Sequence, residues 1–458
     1  MIHLFRKAFQ DLSVSMTDAE LARLADQVNL TMTASTRIFH NVRHVFGLSE
    51  GMKPLQVLAA IFHDVVYYQI DGGLPAPFAA ALANVIRTEG DTLILQPIDP
   101  SDHAMTLCAE VFGFCPGQVL LLQAGMNEFL SAVVAVRLLQ QHLTPAQLMT
   151  VAACIEVTIP FRGRDSKGQS AVQALAQRLQ ALGEKFQAEL DLSSDGTADF
   201  VRMIIVDAID LANQDVSGFT KATPVQCLSN TWLLLKESNA PLAVSGKHSM
   251  LEYRNALLRM RDFLENLDAT QICQAYEGYP EAAAVAEMNA VAEKNILFCC
   301  DYLDVEISFV AILEALGMVT GVDCPSSLLL GEITANAIQS TVPSEALPIH
   351  PPAVACDPEL HQLLEQEVLG ESVNRLTPSP YKHLVYQFLG IQGSRETATQ
   401  ARNMFNGALP PRAFLEALNP ALVKSIISAC SRRTQSPCSQ ALVTLQKSFE
   451  GEHGVWVH

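Results

Sequence analysis

The sequence predicts an all-α protein, on three observations. Apolar residues recur at helical spacing along most of the chain, several helix starts are written as capping boxes, and alternating Val/Ile/Thr runs bounded by turns are few. Thr17-Asp18-Ala19-Glu20 opens an early helix with such a box. Val57-Leu58-Ala59-Ala60-Ile61-Phe62 is apolar on every side, which predicts a buried helix that ends in His63-Asp64. Thr144-Pro145-Ala146-Gln147 combines a box with proline at the first helical position. Met203–Asn213 reads as a further apolar helix, Asn289–Asn295 and Phe309–Leu316 as amphipathic ones, and Asn419-Pro420 as the start of another.

Two segments read as boundaries. Thr220–Asn230 follows a strongly patterned helix and contains Thr-Pro, and Ser340–Pro358 is proline-rich without periodicity. The expected organisation is therefore a helical domain over 1–221, a helical middle region over 222–340 and a helical C-terminal region over 358–458. No fixed-period repeat is present, which speaks against a solenoid.

The 458 residues carry 30 Lys+Arg against 48 Asp+Glu, a net charge of −18. The excess is spread out: residues 1–225 hold 15 basic and 23 acidic side chains, and the remainder 15 and 25. An extended surface for nucleic acid or anionic lipid needs clustered Lys/Arg and is not expected. Eleven cysteines are scattered with no CxxC pair, as in a reducing compartment. The apolar segments Val119–Ala124 and Phe129–Val136 are interrupted by Asn127 and Glu128, too soon for a membrane span. No signal peptide is evident at the start, and the expected location is cytoplasmic.

The densest group of ionisable residues is Arg37-Ile38-Phe39-His40-Asn41-Val42-Arg43-His44, with His63-Asp64 following nineteen residues after His44. On one helix, His40 and His44 project from the same face. A His-Asp pair at the end of a buried helix is costly unless satisfied, and a divalent cation satisfies it. One histidine alone on an apolar face is more often a hydrogen-bonded core residue; an HxxxH pair, a His-Asp dipeptide and a later carboxylate together make an imidazole and carboxylate shell suited to Mn, Mg, Fe or Zn. Asp207, Asp210 and Asn213 recur at intervals of three on one stripe. Asp207 and Asp215 read as parts of a capped or surface-facing helix end, whereas Asp210 lies deep in the apolar pattern and needs a partner.

These elements resemble the HD superfamily of metal-dependent phosphohydrolases. FHNVRHVFGL is similar to the YHNxxHxxxV element, LAAIFHDVVY to the LAxxFHDxxY element, AIDLAN to the ADLSN element, and Asn127-Glu128-Phe129-Leu130-Ser131-Ala132 to the NExxSA helix of small members. The matched region runs from about Thr36 to Phe219, roughly 40% of the chain. The resemblance implies that His44, His63, Asp64 and Asp210 ligate one or two divalent metals, with Asp64 as the bridge if there are two. It implies His40 as the general acid that protonates the leaving oxygen of a phosphate ester attacked by metal-activated water. Glu128 either orients that water or caps its own helix.

Two departures from the family pattern stand out. Small members place histidines in the helix that here reads Ala153-Cys154-Ile155-Glu156-Val157, so Glu156 either replaces such a group or pairs locally. The loop Arg162-Gly163-Arg164-Asp165-Ser166-Lys167-Gly168 is basic; it is either a solvated surface or, through Arg162 and Arg164 together with Asn213, the grip on substrate phosphate. No glutamine matches the purine clamp of phosphodiesterases, so a cyclic nucleotide is not the favoured substrate. His248, His350, His361 and His383 are dispersed among polar and proline-rich segments and receive no site. The expected activity is thus phosphohydrolase or phosphodiesterase, on a nucleotide-like molecule or a phosphodiester-linked adduct on a macromolecule. The C-terminal helices are the expected surface for self-association or a protein partner. The alternatives are a non-catalytic HD scaffold with a structural metal and, more remotely, an iron oxygenase on the same scaffold.

Overall fold

The computed structural model describes residues 1–90, 92–186, 196–243, 248–321, 354–366, 380–433 and 438–451. Among them are nineteen α-helices and one two-stranded sheet, an all-α architecture. The chain forms two units rather than the three expected regions: Met1–Ala222 with Leu267–Glu293, and Thr223–Asn266 with Lys294–His458. The expected middle region is divided between them, because Leu267–Glu293 returns to the first unit. Asn213 Nδ2 donates to the Gln274 carbonyl at 3.0 Å, and the Gln274 amide donates back to Asn213 Oδ1 at 2.7 Å. The proline-rich boundary falls largely outside the described residues, which resume at Val354.

The first unit begins with α1 (Ile2–Asp11) and α2 (Asp18–Met32), the latter opened by the Thr17/Glu20 box. Next come α3 (Val42–Ser49), α4 (Pro54–Phe62) and the single turn α5 (Tyr68–Asp71). An antiparallel hairpin follows, β1 (Ile86–Glu89) with β2 (Thr92–Leu95), registered Ile86 to Leu95 and Glu89 to Thr92. The unit continues through α6 (His103–Phe112), α7 (Met126–Leu139), α8 (Pro145–Val157), α9 (Ala171–Lys185), α10 (Gly196–Asp215) and the turn α11 (Ser217–Thr220).

Helix α8 is the axis of this unit. Every residue from Leu148 to Val157 is buried, and the helix packs against α4, α6, α7, α9 and α10. A helix apolar all round is stable only when surrounded, and the Thr144/Gln147 box satisfies its first amides. Leu58, Ala59, Ala60, Ile61 and Phe62 of α4 are fully buried beside it, so the dipeptide that follows is held on a rigid element.

The second unit comprises α12 (Pro224–Glu237), α13 (Met250–Glu265), the greater part of α14 (Ala282–Thr320), α15 (Pro358–Gln366), α16 (Pro380–Phe405), α17 (Pro411–Glu416), α18 (Pro420–Arg433) and α19 (Cys438–Gly451). The middle of α14 is its core, and three carboxylates buried there are all paired: Asp301 with Arg395, Asp304 with Arg261 and Glu306 with Lys382. Tyr302 and Tyr253 also donate to Glu306, at 2.8 and 3.2 Å. Such pairing is the condition under which charges tolerate burial. Helix α16 breaks at Gly390, whose left-handed φ of +62° and approach to the Ala355 carbonyl exclude a Cβ, which would lie 2.7 Å from that oxygen. No helix among the described residues is long and apolar enough to cross a membrane.

Candidate metal centre

The end of α4, the first turn of α3 and the last residue of α10 converge on one point. His44 Nε2 lies 3.3 Å from His63 Nε2 and 3.0 Å from Asp215 Oδ1, which is 3.7 Å from His63 Nε2. These three donor atoms all fall within 4.8 Å of one another, a spacing that one cation would fill. Asp64 Oδ2 closes the remaining side, 2.9 Å from His63 Nε2 and 3.8 Å from His44 Nε2. The second ring nitrogen of His63, Nδ1, lies 2.9 Å from the Ala60 carbonyl oxygen. A proton on that nitrogen leaves Nε2 as the ligand atom, the usual arrangement of a metal-binding imidazole.

The electrostatics agree with such a site. Burial works against charge on both His63 and Asp64, but each outweighs it for the other. His63 is pushed up to about 9 by the Asp64 carboxylate, its hydrogen bond and the Asp215 charge. Asp64 is held well below the usual carboxylate range by His63, His40 and His44. Without a cation, the proton on His63 offsets the Asp64 charge.

Asp215, rather than the expected Asp210, supplies the carboxylate facing the imidazoles. Five residues separate them, about 140° around a helix, so the two carboxylates leave α10 in different directions. Asp210 instead accepts a hydrogen bond from the Tyr279 hydroxyl, whose own ionisation burial and that carboxylate push up to about 12. The other two members of the sequence stripe are engaged as well. Asp207 takes the Lys53 ammonium at 2.6 Å, and the Asn213 side-chain amide is consumed by the Gln274 backbone, which removes Asn213 as a substrate contact.

His40 and His44 do not share a helix. Asn41 caps α3, accepting from the Arg43 amide at 2.8 Å, and His40 precedes that cap. The chain nevertheless returns the rings to each other, with centroids 5.6 Å apart, and sets His40 edge-on to Tyr67 at 4.7 Å. Glu128 stands in the first turn of α7, half-buried, with its Oε2 enclosed and without a hydrogen-bond partner among the described residues. Burial and the nearby Asp64 charge raise its carboxyl to about 7.

Arg37, Ser131 and Asn127 support the segment that carries this centre. Arg37, buried, forms a fork with Asp71 at 2.8 Å per bond and donates to the Asp64 carbonyl oxygen at 3.0 Å. Ser131 accepts from the Val66 amide at 3.0 Å, and Asn127 accepts from the Tyr68 amide at 3.0 Å. The segment after His63-Asp64 is thereby tied to α7. The signal for Asn127 and Ser131 lay in the NExxSA match itself; Arg37 and Asp71 are 34 residues apart, with nothing in their spacing to pair them.

The two arginines of the basic loop are engaged within the protein. Arg162 is committed to Glu156, at 2.7 and 3.0 Å, and Arg178 donates to the same carboxylate at 2.7 Å. The choice for Glu156 is thus local pairing: it is 1% exposed on the axial helix and needs both guanidiniums. Arg164 donates to the Gly168 carbonyl oxygen at 2.8 Å within its own exposed loop.

No protein-family model matches the chain, and no curated protein or solved structure matches it significantly.

Proposed function

We propose that the first unit is an HD-type phosphohydrolase that cleaves a phosphate ester at a divalent cation held by His44, His63 and Asp215, with Asp64 against it. The observation that carries this reading is the convergence of two imidazoles and two carboxylates on one half-buried point, with His40 and Glu128 on its rim. A cation bound there supplies charge to neutralise phosphoryl oxygens and acidifies a coordinated water. Glu128, with an unpartnered oxygen and a carboxyl titrating near neutrality, is suited to orient that water and take its proton. His40, held between Tyr67 and His44, is placed to protonate the departing oxygen. Arg37 keeps the Asp64 backbone in register.

A second reading, a metal-holding scaffold without turnover, is favoured by one observation: Arg162 and Arg164, the basic groups expected to grip phosphate, are otherwise engaged. Hydrolysis of bis(p-nitrophenyl) phosphate with Mn²⁺ separates the two. Under the enzymatic reading, His63→Ala and Asp64→Ala lose at least about a hundredfold in turnover. Undiminished turnover in both variants overturns the site, and tight Mn²⁺ binding with no cleavage of a broad panel of phosphate esters selects the scaffold.

A further inference from the structure

The second unit brings together two histidines that sequence spacing keeps apart. His361, on α15, and His383, on α16, present Nε2 to Nε2 at 3.1 Å, with ring centroids 4.5 Å apart and planes crossing at 73°. Both are half-buried, so the point where the nitrogens meet borders solvent on one side. Leu360, Leu363 and Leu364 are buried and fix the face that α15 turns inward. Glu365 is exposed, four residues on from His361 and so on the same face, and its charge acts on His383. The adjacent cation, Lys382, is taken up by Glu306 and does not compete for this point.

We infer that His361 and His383 are the two fixed ligands of a second metal site, one for a borderline transition-metal dication such as zinc, and that the exposed Glu365 carboxylate swings in to complete it. Two imidazoles and one carboxylate on a solvent-bordering face match the ligand preference of zinc, nickel, cobalt or copper rather than magnesium or calcium, and leave room for water as a further ligand. The site clasps α15 to α16 and is independent of the phosphohydrolase reading.

Zinc uptake by the full chain tests it, with zinc counted per folded molecule. The wild type binds about one ion more than His361→Ala or His383→Ala, and His63→Ala, altered in the other unit, retains that ion. Glu365→Gln, at an exposed position, weakens it about tenfold. Should either alanine variant fail to fold, histidine-selective NMR of the wild type decides, since the ring signals of His361 and His383 must shift together as zinc is added. Equal zinc uptake by the wild type and a folded His383→Ala, or ring signals unmoved by saturating zinc, overturns the site and leaves an imidazole hydrogen bond between two helices.

Discussion

Asp215 and Asp210 pose the sharpest test among single residues. Both are half-buried on α10, yet one faces the imidazoles and the other Tyr279. Asp215→Asn should weaken Mn²⁺ binding by one to two orders of magnitude, roughly the effect of losing a ligand or its close support, whereas Asp210→Asn should change it far less. Calorimetric titration of the two variants measures the difference; equal losses would return Asp210 to the ligand set. His63 adds a pH signature. Its proton, held up to about 9, must leave when a cation binds, so apparent affinity should rise about tenfold per pH unit below 9 and level off above it. Metal titrations across that range give the slope. Without metal the sign is opposite for stability: the His63 contribution is complete below about pH 6.5, the unfolded value, and is lost as pH rises through about 9. The same scale shows what spacing conceals. The residue types for a metal site were legible in HxxxH and His-Asp, but among Asp207, Asp210 and Asp215 of α10 the choice depends on which side of the helix meets α3, a tertiary fact.

At the scale of the element, capping chemistry was the most legible feature. The boxes at Thr17 and Thr144 both form, because side chain and backbone only three residues apart need no help from the rest of the fold. The β1–β2 hairpin was not legible: its strands are four residues long, too short for alternation to register. Nor was the His361–His383 pair, on helices whose intervening residues 367–379 lie outside those described. The start of α7 supplies a prediction. Gly125 has φ +89°, and a Cβ there would lie 2.2 Å from Ile159 Cδ1. Gly125→Ala should cost about 1–3 kcal/mol in chemical denaturation and, under the proposed hydrolysis, reduce turnover by displacing Glu128. On the axial helix, Glu156→Gln strips two guanidiniums of their carboxylate and should destabilise by on the order of 3 kcal/mol, while Arg164→Ala stays within about 0.5 kcal/mol.

For the molecule as a whole, the all-α class was evident from periodicity, but the division into units was not, since it rests on contacts between distant segments. A chain ending at Ala222 contains every side chain of the candidate centre but lacks Leu267–Glu293. It leaves Asn213 without its two bonds to Gln274 and Asp210 without Tyr279, a loss of about 2–4 kcal/mol before any apolar contact is counted. Such a fragment should melt well below the first-unit transition of the full chain; an unchanged melting temperature by circular dichroism would show that the returning segment is dispensable. That segment also sets a clock on biosynthesis. At about 5–20 residues per second a ribosome needs roughly 4–14 s to proceed from Ala222 to Glu293. Over that interval α10 precedes the partner of its buried amide, so the nascent first unit must wait for a stretch of the second to be made before it can close.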